Sequence, residues 1–138
     1  MCVRRFDDMV FDVACTLDAM QDFQNLRVWH EAHAYAVAVD RASKQAARGR
    51  SELINQLRRA ADSIPANIAE GSGQLTDPQF VRFLAIALGS ATESANHLML
   101  ARDTQALPPS VADDLLAQIG RVRRMLINLV KRLNPVAS

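Results

Sequence analysis

Leu53, Leu57, Ala60, Ile64 and Ile68 are separated by four, three, four and four residues. That spacing lines one face of an α-helix and does not fit the alternation of a strand. Pro65 falls inside the stripe. Its ring removes one N–H, crowds the carbonyl of Ala61 and biases Ile64 away from helical geometry. The apolar phase nevertheless continues through it, so the pattern predicts one kinked helix over residues 52–70 instead of two. Gly71 is expected to end it in a left-handed conformation, with Ser72 and Gly73 opening a loop. Glu70 then sits at the end of the helix dipole that disfavours an acid. A pairing with Arg58, Arg59 or Arg82 would offset this. Asp62, four residues after Arg58, offers that arginine a local alternative.

Three further stripes have the same period. Trp29, Ala32, Ala36 and Val39 mark the inner side of a helix over residues 26–47, with Val28, Tyr35 and Ala42 flanking. Asn25 is its expected N-cap, Gly49 its stop, and Ser51 the cap of the helix that follows. Phe80, Leu84, Ala87, Ala91, Ala95 and Leu98 define a third helix reaching to about residue 102. Thr76 and Gln79 have capping-box spacing, and Asp77–Pro78 would serve equally as cap and first helical residue. Phe83, Ile86 and Leu88 widen its apolar surface, while Gly89, Ser90 and Ala91 would admit another backbone closely. Pro108 and Pro109 close the next connection and Ser110 is the expected cap of the fourth helix. Val111, Leu115, Ile119, Val122, Leu126, Leu129 and Leu133 form its stripe, which Asn134 and Pro135 end. Four helices of similar length with short links read as an all-α, antiparallel, up-down-up-down four-helix bundle.

Residues 1–19 stand apart. They carry both cysteines, Cys2 and Cys15, and four aspartates. Phe6, Val10, Val13, Leu17 and Met20 allow a short amphipathic helix, and an alternative expectation is a poorly ordered arm. Met20 is followed by a segment that reads as an ordinary protein start, so residues 1–19 are taken as an N-terminal extension and 20–138 as the bundle domain. Asp7, Asp8 and Asp12 interrupt what a signal peptide would keep apolar, and no apolar run approaches the ~20 residues of a membrane span. A cytoplasmic chain with free thiols is the expectation.

Composition narrows the chemistry. Aromatics make up only 5% of 138 residues, so small and aliphatic side chains must do the packing. The net charge of +1 gives no strong field toward nucleic acid or membrane. The best basic patch is Arg121, Arg123, Arg124, Lys131 and Arg132, with no acid among them. It could hold phosphates, or be a solvated face with cations at the favoured helix end. His30 and His33 in HEAH are one residue short of the zinc motif H-E-x-x-H. Glu93 and His97 are one irregular copy of what di-iron bundles duplicate at closer spacing. Both read as polar contacts, and no metal, cofactor or catalytic constellation is expected.

The segments QLRRAADSIPANIAEGSG and FVRFLAIALGSATE, with the opening FQNLRVWHEAH, closely resemble the bacterial four-helix-bundle proteins encoded in intervening sequences of 23S ribosomal RNA genes. The likeness covers about residues 20–133. That family is similar in turn to the accessory variability protein of diversity-generating retroelements. The resemblance implies an antiparallel bundle assembled as a ring of five, without an established function for most members. Apolar surface left over on Trp29, Phe83 and Ile86 fits such an interface. The resulting expectation is a non-enzymatic homopentameric assembly or adaptor protein. The alternative is an accessory protein that binds RNA, DNA or a reverse transcriptase, as the markedly basic retroelement relatives do. The near-neutral charge here departs from theirs.

Overall fold

A computed structural model describes the backbone of residues 3–6, 9–12 and 22–135, and the side chains of 22–135. Four helices build the domain: α1 Arg27–Ser43, α2 Ser51–Ser72, α3 Asp77–Asp103 and α4 Pro109–Leu133. Ahead of them lie two short strands, β1 Val3–Phe6 and β2 Met9–Asp12, paired antiparallel with Phe6 opposite Met9. The amphipathic helix expected from Phe6 onward is therefore corrected over these residues. Val3, Phe6, Val10 and Phe11 are strand-favouring types, and pairing satisfies the backbone that an isolated short helix would leave marginal. Cys2, Cys15 and Met20 lie outside the described residues.

The helices form a closed circuit. α2 packs most extensively on α3, α3 on α4 and α1 on α2, and α1 meets α4 to complete it. Ile54, Leu57, Ile64 and Ile68 of α2 face Leu84, Leu98 and a run of buried alanines on α3, and α4 adds Leu115, Ile119, Val122, Leu126 and Leu129. Each fully buried aliphatic side chain of this size contributes about 1.5–3 kcal/mol. Ala87, Ala91 and Ala95 leave room for the neighbouring helices to come close.

Pro65 lies inside α2, which is a single helix as the uninterrupted stripe predicts. Side-chain donors cluster beside the proline. Ser63 Oγ donates to the Ala60 carbonyl at 2.9 Å and Asn67 Nδ2 to the Ser63 carbonyl at 2.7 Å. Gly71 does not end the helix. It is helical and buried, and a Cβ there would stand 2.8 Å from Phe83 Cβ and 2.9 Å from Phe80 Cδ1. Its value is close approach of α2 to α3, and the helix ends two residues later at Gly73, with φ of −83°.

Several caps also differ. Asn25 belongs to a 3-10 turn, Phe23–Asn25, capped by the Asp22 carboxylate, and α1 starts after Leu26, which gives no side-chain cap. α1 stops at Ser43, short of the expected 47. Ala47 instead donates its N–H to the Ala106 carbonyl at 2.9 Å, tying the α1–α2 loop to the α3–α4 loop. Gly49 has φ of +81° in that loop, as a turn glycine should. Arg50 and Pro108, and not Ser51 and Ser110, precede the first turns of α2 and α4. The Thr76 cap holds: its hydroxyl accepts from the Gln79 N–H at 3.4 Å, with Pro78 in the first turn. On α1 the buried stripe is Val28, Ala32, Tyr35, Val39 and Ala42, so Trp29 and Ala36 move to its half-buried edge. Moving Trp29 to the edge spares the core an indole N–H that would need a partner there.

Candidate functional site

Trp29 and Ala36 line a surface groove between α1 and α2. Along α1 the wall is Trp29, His33, Ala36, Val37 and Asp40. Along α2 it is Asp62, Pro65, Ala66 and Ala69, and Phe23 closes one end. Its volume is about 510 Å³. These positions repeat at helical steps on each rod, just outside the buried stripes, so both edges were legible in the sequence once Trp29 is moved off the core. Trp29 is held in place. His33 stacks on the indole with centroids 4.8 Å apart, Phe23 tilts against it at 4.7 Å, and His30 meets it edge-on at 5.1 Å. His30 Nε2 also hydrogen-bonds the Gln24 carbonyl at 2.7 Å. The two histidines thus sit around an indole and do not converge on a common point. Among the described residues, no group of three His, Cys, Asp or Glu side chains is placed to hold a metal ion.

The far end of the groove carries Asp40 and Asp62, with Arg58 and Arg59 beside Asp62. Arg58 Nη2 meets Asp40 Oδ1 at 3.0 Å, with both side chains about half exposed. Such a pair adds little stability, but it answers Asp40 and leaves Asp62 without an ion pair among the described residues. Arg58 thus reaches across to α1 in preference to its helical neighbour Asp62. Arg59 Nη2 lies 3.8 Å from Glu52 Oε1, also on the surface. Glu70 is exposed, and within the subunit it pairs with none of Arg58, Arg59 or Arg82. Its position at the helix end is served by Gln74, whose Nε2 donates to the Glu70 carbonyl at 3.1 Å.

The basic run of α4 divides. Arg121, Arg124, Lys131 and Arg132 are exposed, whereas Arg123 is half-buried and its Nε has no hydrogen-bond partner among the described residues. Helical geometry explains the split: 121, 124, 128 and 131 follow one outward line, and 123 falls on the flank. Ile127, 37% exposed, stands beside that line. No acid occurs anywhere from Leu115 to Pro135.

Apolar surface is also exposed on α3. Ile86, Met99 and Leu100 are each nearly half exposed, at 46%, 49% and 46%, although α3 already buries a complete inner stripe. A smaller polar cleft between α2 and α3 is lined by Gln56, Arg59, Glu93 and His97. His97 Nε2 is 3.7 Å from Glu93 Oε2, a loose helical pair instead of a ligand set.

Two comparisons bear on this architecture. The family described as 23S rRNA-intervening sequence protein matches residues 24–128. The chain is also similar to a protein of unknown function from the S23 ribosomal protein family of Bacteroides thetaiotaomicron, known from a crystal structure. Identity is 24%, over 75% of this chain and 98% of that one, with a TM-score of 0.70. That likeness speaks to the fold alone. No curated protein matches the chain. Neither comparison points to a catalytic family. No helix among the described residues is long and apolar enough to cross a membrane.

Proposed function

The chain belongs to the 23S rRNA-intervening sequence protein family, and from that premise we propose that it acts as a non-enzymatic, self-assembling adaptor in the cytoplasm. In this reading the four helices run antiparallel, up-down-up-down, and five copies close into a ring. The observation that carries the reading is apolar surface on α3 outside its buried stripe, with Ile86 and Leu100 exposed on one flank and Met99 on the other. A helix that is apolar beyond its buried stripe is normally covered there too. Native mass spectrometry with light scattering tests it. The expected mass is five times the 15.2 kDa subunit, and a monomer at tens of micromolar removes the reading.

A second reading rests on the acid-free stretch of α4. Arg121, Arg124 and Lys131, repeated around an assembly, would hold the phosphates of RNA or DNA, or the surface of a polymerase or reverse transcriptase that carries them. The subunit charge of +1 keeps such binding weak at physiological salt. Titration with single-stranded and duplex RNA at low ionic strength is the test. Binding that disappears when Arg121, Arg124 and Lys131 are changed to Gln supports this reading, and no binding at low salt removes it.

A further inference from the structure

The α1–α2 groove and the outward edge of α4 have complementary character. The groove is apolar along Trp29, Val37, Ala66 and Ala69 and acidic at Asp62. Its α2 wall is made of small residues, which lets a helix backbone approach. Its aromatic end is already ordered by the Phe23 and His33 contacts to Trp29. The α4 edge has the opposite charge. It offers Gly120 and Ile127 as apolar surface, with Arg121, Arg124 and Lys131 beside them and no acid within reach on the helix. Lengths agree as well. Trp29 to Asp40 and Gly120 to Lys131 each span about 16 Å at 1.5 Å per residue.

The two surfaces belong to different sides of one subunit, because α4 packs on α1 and α3 while the groove opens between α1 and α2. A contact between them must therefore join two copies. We propose that the α1–α2 groove of one subunit seats the 120–131 edge of α4 from a second copy. Ile127 enters between Val37 and Ala66, and an arginine, Arg124 foremost, meets Asp62. The contact uses two different patches, so it is heterologous and propagates from copy to copy until a ring closes. This inference rests on the self-assembly reading and names a joint separate from the exposed α3 side chains Ile86, Met99 and Leu100, which it leaves uncovered. It also competes with the nucleic-acid reading, since a seated α4 edge hides Arg124.

Two substitutions at surface positions test the seat without touching the core. Ala66→Arg fills the groove, and Ile127→Asp spoils the α4 edge. Circular dichroism should show wild-type helicity for both. Each variant alone is expected to fall to the 15.2 kDa monomer. Mixed one to one, they should form a complex of two subunits and no larger, because the intact α4 of the first fits the intact groove of the second. A variant that keeps the wild-type mass, or a mixture that stays monomeric, overturns the seat while leaving assembly through another face standing. A wild-type chain that is itself monomeric removes the assembly reading first.

Discussion

Tyr35 on α1 and Ser94 on α3 share a hydrogen bond between their hydroxyls across the interior of the bundle, and both residues are fully buried. Their helices are not adjacent in the circuit, so this contact spans a diagonal. It places a polar pair deep in a largely apolar core and ties α1 to α3. Removing one partner should cost more than removing both. Ser94→Ala leaves the phenol buried and unpaired, at a cost of about 1–3 kcal/mol. The double variant Tyr35→Phe/Ser94→Ala should recover most of that loss, and a double-mutant cycle by urea denaturation measures it.

The same phenol makes stability depend on alkaline pH. Burial is the main cause that pushes the Tyr35 pKa up to about 12, with the Ser94 hydrogen bond opposing it. The unfolded chain ionises near 10 and the native one resists, so the native state binds more protons above pH 10. The associated stability is full below pH 10 and lost progressively between 10 and about 12. A gap of that size corresponds to roughly 2–3 kcal/mol at most. Wild type should therefore lose more stability than Tyr35→Phe over this range in parallel urea titrations at stepped pH.

Gly71 and Gly89 should respond oppositely to alanine. At Gly71 the new methyl would stand 2.8 Å from Phe83 Cβ, an atom anchored to its backbone. Overpacking of this kind costs about 1–3 kcal/mol and outweighs the ~1 kcal/mol that alanine gains in a helix interior. A Cβ on Gly89 meets nothing within 4 Å, so there the helical gain of about 0.5–1 kcal/mol should appear. Thermal melts of the two variants, read as opposite shifts in Tm, check the contrast.

Gln105 has φ of 58° in the α3–α4 loop. A left-handed conformation costs a residue with a side chain about 1–2 kcal/mol, against roughly 0.5–1 kcal/mol of extra chain entropy for glycine. Gln105→Gly should accordingly raise stability by up to about 1 kcal/mol. A lower Tm for the variant would show that the Gln105 side chain has a role that its exposure does not reveal.

Helix identity was legible because the apolar period is long and consistent. Ile64 and Ile68 are fully buried where the stripe puts them, and Pro65 interrupts nothing. What escaped was local. Gly71 carries the same letter whether it turns a chain or admits a neighbour, and only the partner helix with Phe80 and Phe83 decides. Trp29 lies one helical step from Val28, and an indole weighs heavily in any stripe, so the α1 face was turned by about 60° toward Trp29 and Ala36 although Ala32 and Val39 were placed correctly. Arg58 had an acid at helical distance in Asp62, yet took Asp40 from another rod. The groove escaped for the same reason, since its two walls are contributed by different helices and join only after folding.

The loops are short and the largest packing surface, α2 on α3, joins neighbours in the sequence. That hairpin closes over four linking residues and is complete once residue 103 has been synthesised. Its close approach at Gly71 to Phe80 and Phe83 is made within the hairpin and does not wait for α4. A nascent chain can therefore commit to this half while α4 is still inside the ribosome, leaving α1 and α4 to meet last. Local contacts of this kind fold fast, and a released fragment ending after α3 should already show protection from proteolysis in residues 51–103.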